Sequence, residues 1–110
     1  MLETNNDIQF SNNNEIPIEE VITQMEKEIQ MSGEQHTFES VQAEPLVKEL
    51  STFLKQIDTG TRVDNLFYRI DLNPAKKDNN LPYYEALAIL AWNRVFKKVW
   101  FRSSFKTGNK

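Results

Sequence analysis

The most apolar part of the 110-residue chain lies within 82-PYYEALAILAWNRVFKKVWFRS-103. The first half of this stretch, Tyr83 to Trp92, is apolar on almost every side apart from Glu85, which is typical of a helix that is buried all round. Its second half narrows to an apolar helical stripe of Trp92, Val95, Phe96, Val99 and Trp100. The stretch therefore predicts one long central helix from Pro82 to about Ser103.

A shorter helix is predicted to begin at Pro17 and to end near Gly33. Proline favours the first turn of a helix, and Glu19 and Glu20 follow it where the helix dipole favours negative charge. Apolar residues then recur at helical spacing, at Ile18, Ile22, Met25 and Ile29. The stripe is narrow, so it resembles a two-heptad seam more than a wide core-facing wall.

A second helix is predicted from Pro45 to the helix-stop sequence Asp58-Thr59-Gly60, in which Gly60 can adopt the left-handed conformation. Its apolar residues also recur at helical spacing, at Leu46, Leu50, Phe53, Leu54 and Ile57. The polar, irregular stretch before it, residues 33–44, is predicted to be a linker. The linker holds the only histidine, His36, which we expect to be a solvated surface residue.

Residues 62–72 are compatible with two structures. Apolar residues alternate as in a strand from Leu66 to Leu72, but others in the same stretch fit a helix, and Thr61 with Asp64 resembles a capping pair. A buried strand needs a second strand, and no convincing one occurs elsewhere in the sequence. We therefore expect a helix, with a short strand at 66–72 as the alternative.

The predicted fold is all-α, a small bundle of about four helices in which the last is the longest. Residues 1–14 are polar and are expected to be disordered. Residues 15–44 are expected to form an acidic amphipathic helix plus linker, and residues 45–110 a helical core domain with a basic C-terminal tail. A core of roughly 60 residues is marginal by itself, so either the first helix or a second copy should dock onto it.

Charge is divided unevenly along the chain. Residues 1–44 contain ten acidic residues and one basic residue, whereas residues 45–110 contain six acidic and twelve basic residues. No acidic residue follows Glu85. The acidic first helix is thus expected to be attracted to the basic last helix.

The sequence shows no recognisable catalytic or metal-binding site, and no cofactor is expected. The chain lacks cysteine, and a single histidine in a predicted linker is a poor basis for a catalytic triad. The carboxylates of Asp58, Asp64 and Asp71 are explained by turn and cap positions. The N-terminus has no signal-peptide pattern and no segment is apolar enough to span a bilayer, so we expect a non-enzymatic cytoplasmic protein.

The leading functional hypothesis is a protein-interaction module that binds a second copy of itself or another protein through helical surfaces. Six residues are predicted to contact the partner: Ile18, Ile22, Met25 and Ile29 in the first helix and Trp100 and Phe101 in the last. If the first helix instead docks within its own chain, it is a structural helix. If it competes with an anionic ligand for the basic helix, it is an autoinhibitory arm.

The alternative hypothesis is a nucleic-acid-binding module. Four cations lie together on the face of the last helix opposite its apolar stripe, namely Arg94, Lys97, Lys98 and Arg102. Aromatic residues are interleaved with them, as phosphate contact combined with base stacking requires.

Overall fold

The computed structural model describes residues 17–108, with the side chains at 43 and 103–108 excepted. It contains four α-helices and one 3₁₀ turn, in the order α1 (Ile18–Met31), α2 (Ala43–Gln56), α3 (Arg62–Arg69), the 3₁₀ turn Pro74–Lys76 and α4 (Tyr83–Gly108). No strand occurs in this part of the chain. The prediction of a small all-α bundle is therefore confirmed, while the disorder predicted for residues 1–14 concerns residues outside the described range.

Helix α4 is the centre of the bundle, because both α1 and α2 pack along it and its first half is buried. The predicted start at Pro82 agrees with the structure, but the helix continues five residues past Ser103. Among the described residues, no helix has both the length and the apolar character needed to cross a membrane.

Helix α1 runs antiparallel to α4. Lys98 of α4 bonds to Glu28 of α1, and Arg102, one turn later, bonds to Gln24, one turn earlier. Val21, Met25 and Ile29 are fully buried on this side of the bundle. Helix α1 therefore supplies apolar surface to the same core as α2, α3 and α4, which relieves the shortage expected for a core of residues 45–110 alone.

The ambiguous stretch forms α3 followed by a turn. Its helical positions Val63, Leu66 and Phe67 are buried, whereas Tyr68 is 89% exposed. Ile70 and Leu72 lie beyond the end of α3 and are also buried, and between them the chain turns at Asp71, whose φ of 58° is left-handed. At the other end, the expected capping pair is absent, since the side chain of the N-cap residue Thr61 makes no cap hydrogen bond.

Candidate interaction surface

One buried carboxylate connects α1 with α3 and α4. The side chain of Glu28 is only 1% exposed, and its two oxygens accept hydrogen bonds from Arg69 at 3.1 Å and Lys98 at 2.5 Å. A third hydrogen bond comes from Gln24 Nε2 at 2.7 Å. Because a buried charge without partners is strongly unfavourable, this network requires the three helices to dock in one arrangement.

The network keeps Glu28 ionised. Burial by itself favours the neutral acid, but the hydrogen bonds from Lys98, Gln24 and Arg69 outweigh it, so the pKa of Glu28 lies below its ordinary value. Glu28 therefore acts as a fixed negative charge, and the positive charge of Lys98 is directed toward it.

Three of the four cations predicted to contact nucleic acid bond within the chain. Arg94 donates to the backbone and carboxylate oxygens of Asp71, Lys98 donates to Glu28, and Arg102 donates to Gln24 Oε1 at 3.2 Å. These cations are spaced by four residues and form one stripe facing α1 and the end of α3. Lys97 lies off this stripe, is exposed, and forms no ion pair with any residue between 17 and 102.

The apolar stripe of α1 was predicted to contact a partner, which would require its side chains to be exposed, but they lie against the core of their own chain. Met25 and Ile29 are fully buried, Ile22 is nearly so, and Ile18 is half-buried against the core. In this arrangement these side chains contact their own chain, because the stripe covers α4 and α3. They offer a second molecule almost no surface.

Trp100 and Phe101 are the predicted contact residues that remain accessible. They are 37% and 52% exposed, and their rings touch edge to face with centroids 5.4 Å apart. We call them the aromatic pair. Phe101 follows Lys97 by four residues and Lys98 by three, so it lies between Lys97 and the stripe that contacts α1.

An open groove of about 370 Å³ lies beside the aromatic pair, along the seam between α1 and α4. Its charged residues are balanced, because Glu19 and Glu20 of α1 stand with Lys27 and Arg102 in its lining. The lining residues are Glu19, Glu20, Thr23, Gln24, Lys27 and Arg102. The sequence alone did not indicate this groove, since its walls come from α1 and α4, which lie far apart along the chain.

The predicted linker is also packed onto the bundle, so the solvated role expected for His36 is wrong. His36 forms a hydrogen bond with the carboxylate of Glu49 on α2 at 2.9 Å. The centroid of its ring lies 4.6 Å from that of Phe38 and 4.9 Å from that of Phe53. Glu49 also accepts hydrogen bonds from the amides of Glu39 and Ser40. The one sequence signal was the lone aromatic residue in a polar stretch, Phe38, which is buried.

The carboxylates considered for catalysis bond to separate partners. Asp58 accepts a hydrogen bond from the hydroxyl of Tyr84 at 2.5 Å, while Asp71 pairs with Arg94. The described residues contain no group of three or more histidines and carboxylates able to hold a metal ion. A second open groove, of about 380 Å³, lies between α2 and the start of α4 and includes Lys48, Lys55 and Tyr83 in its lining.

Comparisons with protein-family models, with curated proteins and with solved structures gave no match.

Proposed function

We propose that this chain is a non-enzymatic interaction module that binds a second copy of itself through the aromatic pair on α4. The observation that carries the proposal is the exposure of two adjacent aromatic side chains, Trp100 and Phe101, on a helix whose other large apolar residues before residue 103 are mostly buried. Aromatic residues are enriched at protein interfaces because each buries a large area while losing little conformational entropy.

The charges around the pair favour a protein partner over a nucleic acid. A polyanion approaching α4 would have to displace Glu28, Gln24 and Asp71 from the cations that they already contact. Among the cations of α4 up to residue 102, Lys97 remains available, but one phosphate contact contributes little to nucleic-acid affinity. A protein surface, in contrast, can cover the aromatic pair while those internal bonds stay intact.

The aromatic pair can only be the centre of a larger contact. The exposed parts of two aromatic side chains amount to roughly 200 Å², whereas a stable interface buries about 800 Å² on each partner. Further surface near the end of α4 must therefore take part. The energetically important residues of an interface cluster at its centre, which suits an exposed aromatic pair surrounded by polar residues.

The proposal is tested by size-exclusion chromatography with light scattering over a wide range of protein concentrations. The double variant Trp100→Ala/Phe101→Ala should lower the mass from dimer to monomer. Tyr68→Ala is the matched control, because it removes an exposed aromatic residue from α3, and it should dimerise like the wild type. Circular dichroism checks that each variant folds.

Two results would overturn the proposal. One is a wild-type chain that stays monomeric up to millimolar concentration, and the other is a double variant that dimerises as well as the wild type. Excess absorbance at 260 nm that is lost in high salt would instead favour nucleic-acid binding.

A further inference from the structure

We propose that the groove between α2 and the start of α4 binds a diphosphate group, either inorganic or carried by a small molecule. We call it the basic groove, and its lining includes Lys48, Thr52, Lys55, Tyr83 and Glu85. Its volume of about 380 Å³ lies within the range of small-molecule sites, roughly 300–1,000 Å³. The inference goes beyond the proposed self-association, since about 25 Å of α4 separates this groove from the aromatic pair.

Two lysines of α2 stand on the same side of the basic groove. Lys48 and Lys55 are two helical turns apart, which places them on one face of α2 at a spacing of about 10 Å along its axis. Both are exposed, and neither forms an ion pair with a residue that the structure describes. Each ammonium group has three donors and no internal acceptor that would compete with a phosphate oxygen.

A third cation stands beside the groove and makes its charge clearly positive. The ammonium group of Lys77 lies 5.3 Å from the centroid of the Tyr83 ring, and Tyr83 lines the groove. Within the described range Lys77 also lacks an ion pair. The groove between α1 and α4 has no such excess, because its two acids balance its two cations.

The two carboxylates in this region leave the three lysines unpaired. Glu85 lines the groove, but it stands in the first turn of α4, where the helix dipole favours a negative charge, so it has a structural role. Asp58 does not line the groove, and it accepts a hydrogen bond from the hydroxyl of Tyr84 at 2.5 Å. The groove therefore keeps an excess of positive charge, although the whole chain has a net charge of −3.

Polar and aromatic groups complete the site. Thr52 lies between the two lysines along α2, and its hydroxyl forms no hydrogen bond with any described residue, so it can donate to a phosphate oxygen. The ring of Tyr83, which is 52% exposed, offers a surface to a flat group attached to the diphosphate. Hydrogen bonds between cations and phosphates are roughly twice as strong as neutral ones. A long nucleic acid would need a row of cations instead of one groove.

Isothermal titration calorimetry of the full chain tests the inference, with inorganic pyrophosphate and adenosine diphosphate as the two probes. Lys48→Ala/Lys55→Ala should weaken pyrophosphate binding by about tenfold or more, because charge-assisted hydrogen bonds are lost. Glu85→Gln should strengthen it, because a like charge leaves the groove. Tighter binding of adenosine diphosphate than of pyrophosphate would identify a nucleotide that contacts Tyr83, and the reverse order would identify the inorganic ion.

Lys27→Ala is the matched control. Lys27 is also an exposed lysine without an ion pair to a described residue, but it lines the groove between α1 and α4 beside Glu19 and Glu20. Its removal makes the same change in total charge per residue and should leave pyrophosphate affinity unchanged. Circular dichroism checks that each variant folds.

Three results would overturn the inference. The first is a wild-type chain without saturable binding of either probe at millimolar concentration, and the second is unchanged affinity in Lys48→Ala/Lys55→Ala. The third is an equal loss of affinity in Lys27→Ala, which would show general attraction of anions to the surface. Trp100→Ala/Phe101→Ala should bind pyrophosphate like the wild type, so failure of the proposed self-association leaves this inference intact.

Discussion

At the scale of single residues, Glu28 is the side chain on which the helix arrangement depends most. It lies fully buried in α1 and receives hydrogen bonds from Arg69 in α3 and Lys98 in α4. We expect Glu28→Ala to lower the free energy of unfolding by about 1–3 kcal/mol. This loss of stability is smaller than the loss expected when one partner of a fully buried ion pair is removed. The reason is that the side chains of Arg69 and Lys98 are 41% and 44% exposed and can turn to water.

The measurement is urea denaturation followed by circular dichroism. Glu39→Ala is the control, since it removes an exposed carboxylate, and it should change the free energy of unfolding by less than about 0.5 kcal/mol. Equal stability of the two variants would contradict the role assigned to Glu28.

At the scale of elements, the C-terminal ends of α1 and α3 give opposite predictions. Each helix is followed by a left-handed residue, Gly33 with φ of 102° and Asp71 with φ of 58°, and the next amide bonds back to the last turn of the helix. Glycine adopts this conformation without strain, whereas a residue with a Cβ atom is strained there. We expect Gly33→Ala to destabilise the fold by about 1 kcal/mol.

Asp71→Gly should instead stabilise the fold by about 0.5 kcal/mol, because relief of strain exceeds the loss of an exposed ion pair. Arg94 keeps its bond to the backbone oxygen of residue 71. Thermal unfolding of both variants checks the two signs. A destabilised Asp71→Gly would mean that the Arg94–Asp71 pair contributes more than backbone strain costs.

The segment between α1 and α2 provides another prediction at this scale. Glu49 holds it by accepting hydrogen bonds from His36 and from the amides of Glu39 and Ser40. Glu49→Ala should therefore speed hydrogen exchange of these two amides markedly, while amides in the middle of α4 stay protected. Glu44→Ala is the control on the same helix, and unchanged exchange in Glu49→Ala would show that the segment is held by Phe38 alone.

At the scale of the whole molecule, stability is expected to fall in acid. Burial raises the pKa values of Glu28 and Glu49, but hydrogen bonds outweigh it in both, so both pKa values lie below the ordinary value of 4.5. Between the folded and the ordinary pKa the unfolded chain binds more protons. The stabilisation that these two carboxylates provide is thus complete above about pH 5, and it is lost as the pH falls through their pKa values in the folded protein.

Urea denaturation at several pH values between neutral and about pH 3 measures this effect. The double variant Glu28→Gln/Glu49→Gln should be less stable at neutral pH and should lose less stability on acidification. An equally steep loss in the variant would assign the acid sensitivity to other carboxylates.

The helices and the distribution of charge could be predicted from the sequence. Apolar spacing placed three of the helices, because each helix must direct one face toward a core, and the continuous apolar run before Trp92 identified the central one. For α3 the spacing also fitted a strand, and the helix was preferred because the sequence offers no second strand to pair with it. The ends were less certain: α2 begins two residues before Pro45, and α4 extends beyond Ser103. These ends depend on local hydrogen bonds that the apolar pattern does not specify.

What each helix face contacts depends on how the helices dock, and the sequence pattern does not specify this. The stripe of Ile22, Met25 and Ile29 was visible in the sequence, but periodicity shows that a face is apolar without showing whether its own chain covers it. The bonds from Glu28 to Arg69 and Lys98 join residues 41 and 70 positions apart, and His36 meets Glu49 across 13. Such pairs form only when the helices dock, since docking supplies both the burial and the geometry that make these bonds favourable.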